Sequence, residues 1–241
     1  MIVSLLGATL LGQDVYATFN VQAHKESNLV LSATGLVKKI NVDVGDKVKK
    51  GQVLLELDSD DLKTSVRLAQ KKIELAQVNL SFAKKAFDRY DKVKSVVDAG
   101  EYDKYASAYE RAKIELSNAK ANLSYKRALL SKTRLKAPFS GVIASKSIEV
   151  GDGVSGAKMN TLFRLITPNK QKLVLKIDEK YWQKLKIGQT FVYSVDGKKN
   201  MTSKISKIHP AIDSKRRAIT VEMPTKGLKV GLFGHGKLKV D

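Results

Sequence analysis

No cysteine occurs in the 241 residues, which excludes disulfides, thiolate metal sites, a cysteine nucleophile and lipidation of an N-terminal cysteine. Histidine is nearly as scarce: His24, His209 and His235 lie far apart, giving neither metal-ligand spacing nor a base close in sequence to a nucleophile. Beyond Met1, methionine stands only at 159, 201 and 223, a dispersion that weakens the case for clusters delivering Cu(I) or Ag(I). No metal, cofactor or catalytic residue is therefore expected, and the protein is not read as an enzyme. No segment approaches 18 consecutive apolar residues, so no membrane-spanning helix is expected. The apolar run Met1–Gly12 is too short for that role and lacks a basic residue before it. It reads as the core of a signal peptide over residues 1–17, with Val15 and Ala17 as the small-residue cleavage pattern, Gly12 as the other candidate end, and a buried strand as the alternative.

Acidic side chains are also in short supply, 24 against 44 Lys and Arg, for a formal charge of +20. Such an excess suits nucleic acid, anionic lipid or an acidic partner, so its distribution matters more than its size. Residues 60–133 carry 16 basic and 10 acidic groups, a net of +6, leaving +14 for the other 167. This reads as an almost even spread over a solvated surface. A basic coiled-coil protein that binds nucleic acid or an anionic membrane surface is the alternative reading. It is disfavoured because the aromatics of the basic segments, such as Phe87 and Tyr109, fall on an apolar seam and not on stacking platforms.

What the chain does have is a repeat. Gly35-Leu-Val-Lys-Lys-Ile-Asn-Val-Asp-Val-Gly-Asp-Lys-Val48 recurs, 106 residues later, as Gly141-Val-Ile-Ala-Ser-Lys-Ser-Ile-Glu-Val-Gly-Asp-Gly-Val154. Each copy alternates apolar with polar residues, turns at Gly-Asp and resumes in a short apolar run, predicting strand, turn and strand twice. One copy has an apolar face that it cannot bury alone, so the two are expected to pack as a small β-sandwich.

Between the copies the period changes. Leu62, Val66, Ala69, Ile73, Ala76, Leu80, Ala83, Phe87 and Tyr90 keep a 4-3 alternation. Tyr105, Tyr109, Ala112, Leu116, Ala119 and Leu123 repeat it, with Leu130 a heptad further on and Lys126 interrupting. This is coiled-coil spacing. Gly100 is the only helix breaker between Gly51 and Pro138, which predicts an antiparallel hairpin with its tip at 98–102 and a reach of about 50 to 55 Å. Beyond Pro168, short alternating runs at 173–177, 190–194, 203–208, 218–222 and 231–240 predict a small antiparallel barrel, joined by a strand at 15–22, with a helical turn at 181–185 plugging its end.

Two tempting motifs carry no chemistry. Gly151-Asp-Gly-Val-Ser-Gly156 spells a dinucleotide fingerprint, but the residues after it read as a strand and the repeat aligns it with a turn. A lipoyl or biotinyl carrier presents a lysine at its central hairpin, and here that position is the coiled coil.

The pattern Gly35-x-Val-x-x-Ile-x-Val-x-Val-Gly-Asp-x-Val-Lys-Lys-Gly-Gln-x-Leu-x-x-Leu-Asp58 resembles the half-motif of lipoyl and biotinyl domains. Split by a hairpin and followed by a barrel, it resembles the periplasmic adaptors, or membrane fusion proteins, of resistance-nodulation-division (RND) tripartite efflux systems. Leu135-Lys-Ala-Pro-Phe-Ser-Gly-Val-Ile143 matches that family's re-entry into the second half. Asp178-Glu179, Ile187-Gly-Gln189, Lys204 to Pro210, Asp213 to Arg217 and Leu228 to Phe233 follow its barrel landmarks in order. The resemblance implies a mixed β and α, elongated multi-domain chain. Residues 1–17 would be a signal peptide, 18–27 a barrel strand, 28–58 and 134–168 the lipoyl-like halves, 59–133 the hairpin and 169–241 the barrel. It also implies an inner-membrane RND transporter and an outer-membrane channel as partners, self-association as trimer or hexamer, and no nucleic acid. The setting would be the periplasm, held at the inner membrane through the transporter, and the role efflux of drugs or other toxic compounds. Many members carry at the tip an Arg, a Leu four residues on and a Ser seven beyond that, which dock the channel. Arg89 and Val93 take the first two places. Gly100 takes the third or, if Glu101-Tyr-Asp103 is aligned instead, Asp98 does. Tyr102 closes the candidate set.

Overall fold

The computed structural model describes residues 13–195 and 197–240; the run up to Gly12, and with it the core of the signal-peptide reading, lies outside them. The first repeat copy supplies β2 (Glu26–Leu29), β3 (Gly35–Ile40), β4 (Lys47–Val48) and β5 (Val53–Leu57), and β1 (Gln13–Ala23) precedes them. The second supplies β6 (Arg134–Lys136), β7 (Gly141–Lys146), β8 (Gly153–Val154) and β9 (Phe163–Ile166). The copies do not form one sheet each. The sheets run β2-β9-β7-β4 and β6-β5-β3-β8, so every copy gives two strands to both.

The exchange follows the 106-residue offset. Lys47 and Val48 pair with Val142 and Gly141, while Gly153 and Val154 pair with Leu36 and Gly35. The Gly45 N–H donates to the Ile143 carbonyl and the Gly151 N–H to the Val37 carbonyl, each at 2.9 Å. Both glycines have positive φ, +92° and +94°, which a residue with a Cβ adopts only under strain. Within each turn a carboxylate accepts a main-chain N–H three residues back, Asp46 from Asp43 and Asp152 from Glu149. The sandwich thus has a pseudo-twofold axis, and each copy completes the other's hydrogen bonds. Leu54, Leu55, Phe163 and Leu165 fill the space between the sheets and are fully buried.

The same axis relates the two exits from the sandwich. The hairpin leaves after β5 and returns through β6, its neighbour. The barrel connection leaves after β9 and arrives through β2, also a neighbour. An Arg–Glu pair closes each exit: Arg134 to Glu56 at 3.1 Å, and Arg164 to Glu26 at 2.6 Å.

Two helices form the hairpin, α1 (Asp60–Asp91) and α2 (Ala99–Ser131). All the seam positions read from the sequence are shielded at least in part, and Ala69, Ala76, Ala112 and Leu123 are buried. Alanine at three of these four places lets the helices approach closely. α1 is 32 residues long, a reach of about 48 Å. At the base the Leu57 N–H donates to the Thr133 carbonyl, and Lys38 of β3 donates to Asp60 at 2.7 Å.

β1 and the C-terminal strands β10 (Gln171–Asp178), β11 (Thr190–Val195), β12 (Lys198–Lys204), β13 (Lys207–Asp213), β14 (Ala218–Thr225) and β15 (Phe233–Val240) form one antiparallel sheet in the order β12-β11-β15-β1-β10-β14-β13. It curls until Ser203 Oγ donates to the Pro224 carbonyl and the Ser206 N–H to that of Glu222. Phe19, Phe191 and Tyr193 pack inside, with Phe19 edge-on to both of the others.

Four expectations shift. The boundary at residue 17 falls inside β1, whose Val15 and Ala17 are buried in the barrel core; the end at Gly12 would leave the whole strand in place. Glu26 and Ser27 belong to the sandwich, paired with Ile166 and Leu165. The strand expected at 203–208 is broken, because Ile205 turns inward while its N–H and carbonyl bond to Gln189 and Gly188. At the barrel end a 3-10 helix, Glu179–Lys184, forms the plug with Tyr181 and Leu185, leaving Trp182 in solvent.

Two predictions follow from these roots. Replacing residues 61–131 by a short Gly/Ser linker should leave a folded, soluble β-protein, because the hairpin enters and leaves through neighbouring strands; loss of β-signal in circular dichroism would refute the split-sandwich arrangement. Hydrogen bonds from Lys38 and then Lys63 hold the Asp60 carboxyl at about 2. A depressed carboxylate contributes its link above the ordinary Asp value and loses it as pH falls through about 2. An NMR titration of Asp60 should therefore find its midpoint there, and Lys38→Met should return it toward the ordinary carboxylate range.

Candidate functional site

The far end of the hairpin is built differently from its shaft. Along the shaft alanines set the spacing, and at the end aromatic rings replace them. Tyr90 stacks on Tyr105 with ring centroids 3.8 Å apart, and Phe87 stacks on Tyr109 at 5.4 Å. Tyr102 leans on Phe87 at 5.9 Å, and its hydroxyl donates to Asp91 at 3.2 Å. Lys94 lies over the outer face of the Tyr102 ring, 4.5 Å from its centroid. A hydrogen bond with Tyr105 pushes the Tyr90 hydroxyl up and desolvation adds to it, while the charge of Arg89 pulls the other way.

The reversal of the chain occurs at 92–98, earlier than the 98–102 expected. Asp98 is the reason. Its carboxylate accepts from the N–H groups of Gly100 and Glu101, at 2.9 and 3.3 Å, so α2 starts immediately after it. Gly100 then sits in the first helical turn, where its flexibility interrupts nothing. Asp98 and Gly100, the two candidates for the third docking position, are therefore both committed to starting a helix. Tyr102, the fifth candidate, is committed to packing.

Arg89 and Val93 are exposed, as Asp98 and Gly100 are, but take no part in capping α2 or in the ring packing. Arg89 is exposed in the last turn of α1. Its nearest acidic neighbours in sequence are engaged, Asp88 by Lys84 at 2.8 Å and Asp91 by Tyr102. Among the described residues Arg89 makes no ion pair. Val93 is 42% exposed and Val96 beside it 81%. The tip thus offers a forked cationic donor next to an apolar shoulder on a rigid aromatic base. A guanidinium there presents planar, forked N–H donors that match carbonyls and carboxylates. Five aromatics in the 23 residues from Phe87 to Tyr109 were the signal for the stacked base, which spacing alone reports only as seam.

No cluster of potential metal ligands is found among the described residues. A cleft of about 900 Å³ lies where the barrel meets the sandwich. Its Glu26 and Arg164 form the ion pair of that exit, and its Lys172 is paired with Glu222 at 2.8 Å.

Comparison with known proteins bears on this architecture. Residues 25–165 match a family model described as the CzcB-like, barrel-sandwich hybrid domain. The cobalt-zinc-cadmium resistance protein CzcB of Cupriavidus metallidurans is 31% identical over 139 residues, covering 54% of this chain and 26% of CzcB. The multidrug resistance protein MdtA of Proteus mirabilis is 28% identical over 148 residues, 60% of this chain and 36% of MdtA. The chain therefore matches about a quarter to a third of these relatives' lengths. The crystal structure of MacA from Actinobacillus actinomycetemcomitans superposes with a TM-score of 0.80 at 19% identity, covering 96% of this chain and 79% of MacA, which shows a common fold. The family match takes in both halves of the interlocked sandwich and the whole hairpin between them, more than half of the chain, and the protein belongs to the CzcB-like barrel-sandwich hybrid family.

Proposed function

We propose that this chain is the adaptor subunit of a tripartite efflux system in the periplasm, joining an inner-membrane RND transporter to an outer-membrane channel. The observation that carries this reading is the hairpin. A stiff stalk of about 48 Å, ending in an aromatic clamp with Arg89 and Val93 exposed beside it, is a reaching and docking device. Two relatives are named for resistance to metal ions and to drugs, which supports efflux as the process and leaves the cargo to the transporter. On this reading copies of the chain associate as trimers or hexamers so that their tips present a ring to the channel, and the barrel lies toward the transporter.

Within the tip, Arg89 makes the decisive contact and Val93 seats beside it, while Asp98, Gly100 and Tyr102 shape the turn. In a strain whose efflux depends on this gene, Arg89→Glu should abolish resistance while adaptor abundance and helicity stay at wild-type levels, since an exposed residue contributes little to stability. Lys126→Ala, on the shaft toward the base, is the matched control and should retain resistance. Full efflux in Arg89→Glu cells would remove this arginine from the docking role. Failure of the wild-type gene to restore resistance in a deletion strain would remove the adaptor role itself.

A further inference from the structure

The charge of +20 is not spread evenly once the domains are drawn. Residues 169–241 hold 17 Lys and Arg against 6 Asp and Glu, a net of +11, the hairpin holds +6, and the remaining 94 residues only +3. The barrel is the basic domain, and one end of it combines charge with exposed apolar groups.

That end is the one remote from the sandwich. β10 leaves the sandwich side at Gln171 and reaches the far end at Asp178, opposite Ala218 of β14, about 24 Å further on. The 3-10 helix follows directly, and the Glu179 N–H donates to the Arg217 carbonyl at 2.9 Å, placing the β13–β14 turn beside it. Trp182 is 60% exposed and Ile187 71%. Lys180, Lys184 and Lys186 alternate with them, and Lys215, Arg216 and Arg217 occupy the adjoining turn; all six are exposed. The described carboxylates of this end are spoken for locally: Asp14 faces Lys237, Asp178 accepts from the Lys180 N–H, Glu179 faces Arg217, and Asp213 accepts from the Arg216 N–H and faces Lys176.

We propose that this pole of the barrel docks on an anionic phospholipid surface, with Trp182 and Ile187 seated at headgroup depth and the surrounding lysines paired with phosphates. The proposal goes beyond the adaptor reading and does not depend on it. Trp is the side chain best suited to a membrane–water boundary, with an apolar body and an N–H that stays hydrated. Lysines rimming it extend their stems over apolar surface and hold their charge outside. A protein partner is the weaker match, because lysine is depleted in protein–protein interfaces and enriched where chains meet anionic leaflets. The opposite end is basic too, through Lys198, Lys199 and Lys226, but there the sandwich connection stands in the way of a flat surface.

Trp182 is the only tryptophan in the chain, so its emission reports on the proposed contact alone. The full-length protein is mixed with vesicles of phosphatidylcholine, or of phosphatidylcholine and phosphatidylglycerol in equal parts. Sedimentation with the anionic vesicles and a blue shift of the emission are expected, neither with the neutral ones, and both should vanish when salt shortens the screening length to a few ångströms. Lys180→Glu/Lys184→Glu/Lys186→Glu should weaken partitioning about 100-fold or more, at about fivefold per lost lysine charge. Lys198→Glu/Lys199→Glu/Lys226→Glu carries the same change in net charge and should stay within a few-fold of wild type; circular dichroism verifies that both triples fold. Met1–Gly12 is present in every variant. Absence of binding to anionic vesicles, binding without an emission shift, or equal losses in the two triples would each overturn the proposal.

Discussion

The main-chain hydrogen bonds that Gly45 and Gly151 donate across the sandwich are the constraint on which the rest of the molecule rests. Each crosses from one half of the repeat to the other, so a half on its own has an open sheet edge as well as a bare apolar face. The two halves are separated in sequence by the entire hairpin, and they can meet only if that insertion returns to its starting point. An antiparallel coiled coil does this by construction. The long helices are therefore a topological requirement of the sandwich as well as a projection from it, and the seam that zips them also brings the second half home.

Much of this was legible because duplication and periodicity leave strong marks. The Gly-Asp turns recur at a fixed offset, and the seam from Leu62 to Tyr90 is unbroken. What the sequence could not show was the exchange of strands. Alternation assigns residues to a face but not to a sheet, and β4 and β8, two residues each, take their partners entirely from tertiary hydrogen bonding. β12 was missed for a related reason: Lys198-Lys-Asn-Met-Thr-Ser-Lys204 has no apolar alternation, and only its pairing with Phe191 and Tyr193 of β11 makes it a strand. Ile205, apolar between polar neighbours in Ser203-Lys-Ile-Ser-Lys-Ile208, has the alternation of a continuing strand and is instead the pivot between two.

The tip was misplaced by giving weight to the wrong residue. A glycine between two helical patterns looks like the break, yet an aspartate two positions earlier caps the second helix and makes the glycine harmless. The rule that places caps at Ser, Thr, Asp or Asn was available, with Glu101 three residues on as its usual companion. The stacked rings had no comparable rule. Which face of Tyr105 meets Tyr90 depends on how two helices cross, and spacing within one helix does not encode that. The basic barrel is hidden when the hairpin is compared with the rest of the chain as a whole, because that comparison averages the barrel with a nearly neutral sandwich.

The paired exits of the sandwich bear on how movement passes through the molecule. A domain hung on a single strand can swivel about it. Here the stalk is held by β5 and β6 side by side, and the barrel by β9 and β2 side by side, each pair closed by an arginine and a glutamate. Twisting the stalk about its long axis would have to shear the hydrogen bonds between its two root strands, and the same holds at the other exit. Torsion applied at either projection is therefore delivered to the other and not dissipated between them, so the sandwich behaves as a keyed coupling rather than a universal joint.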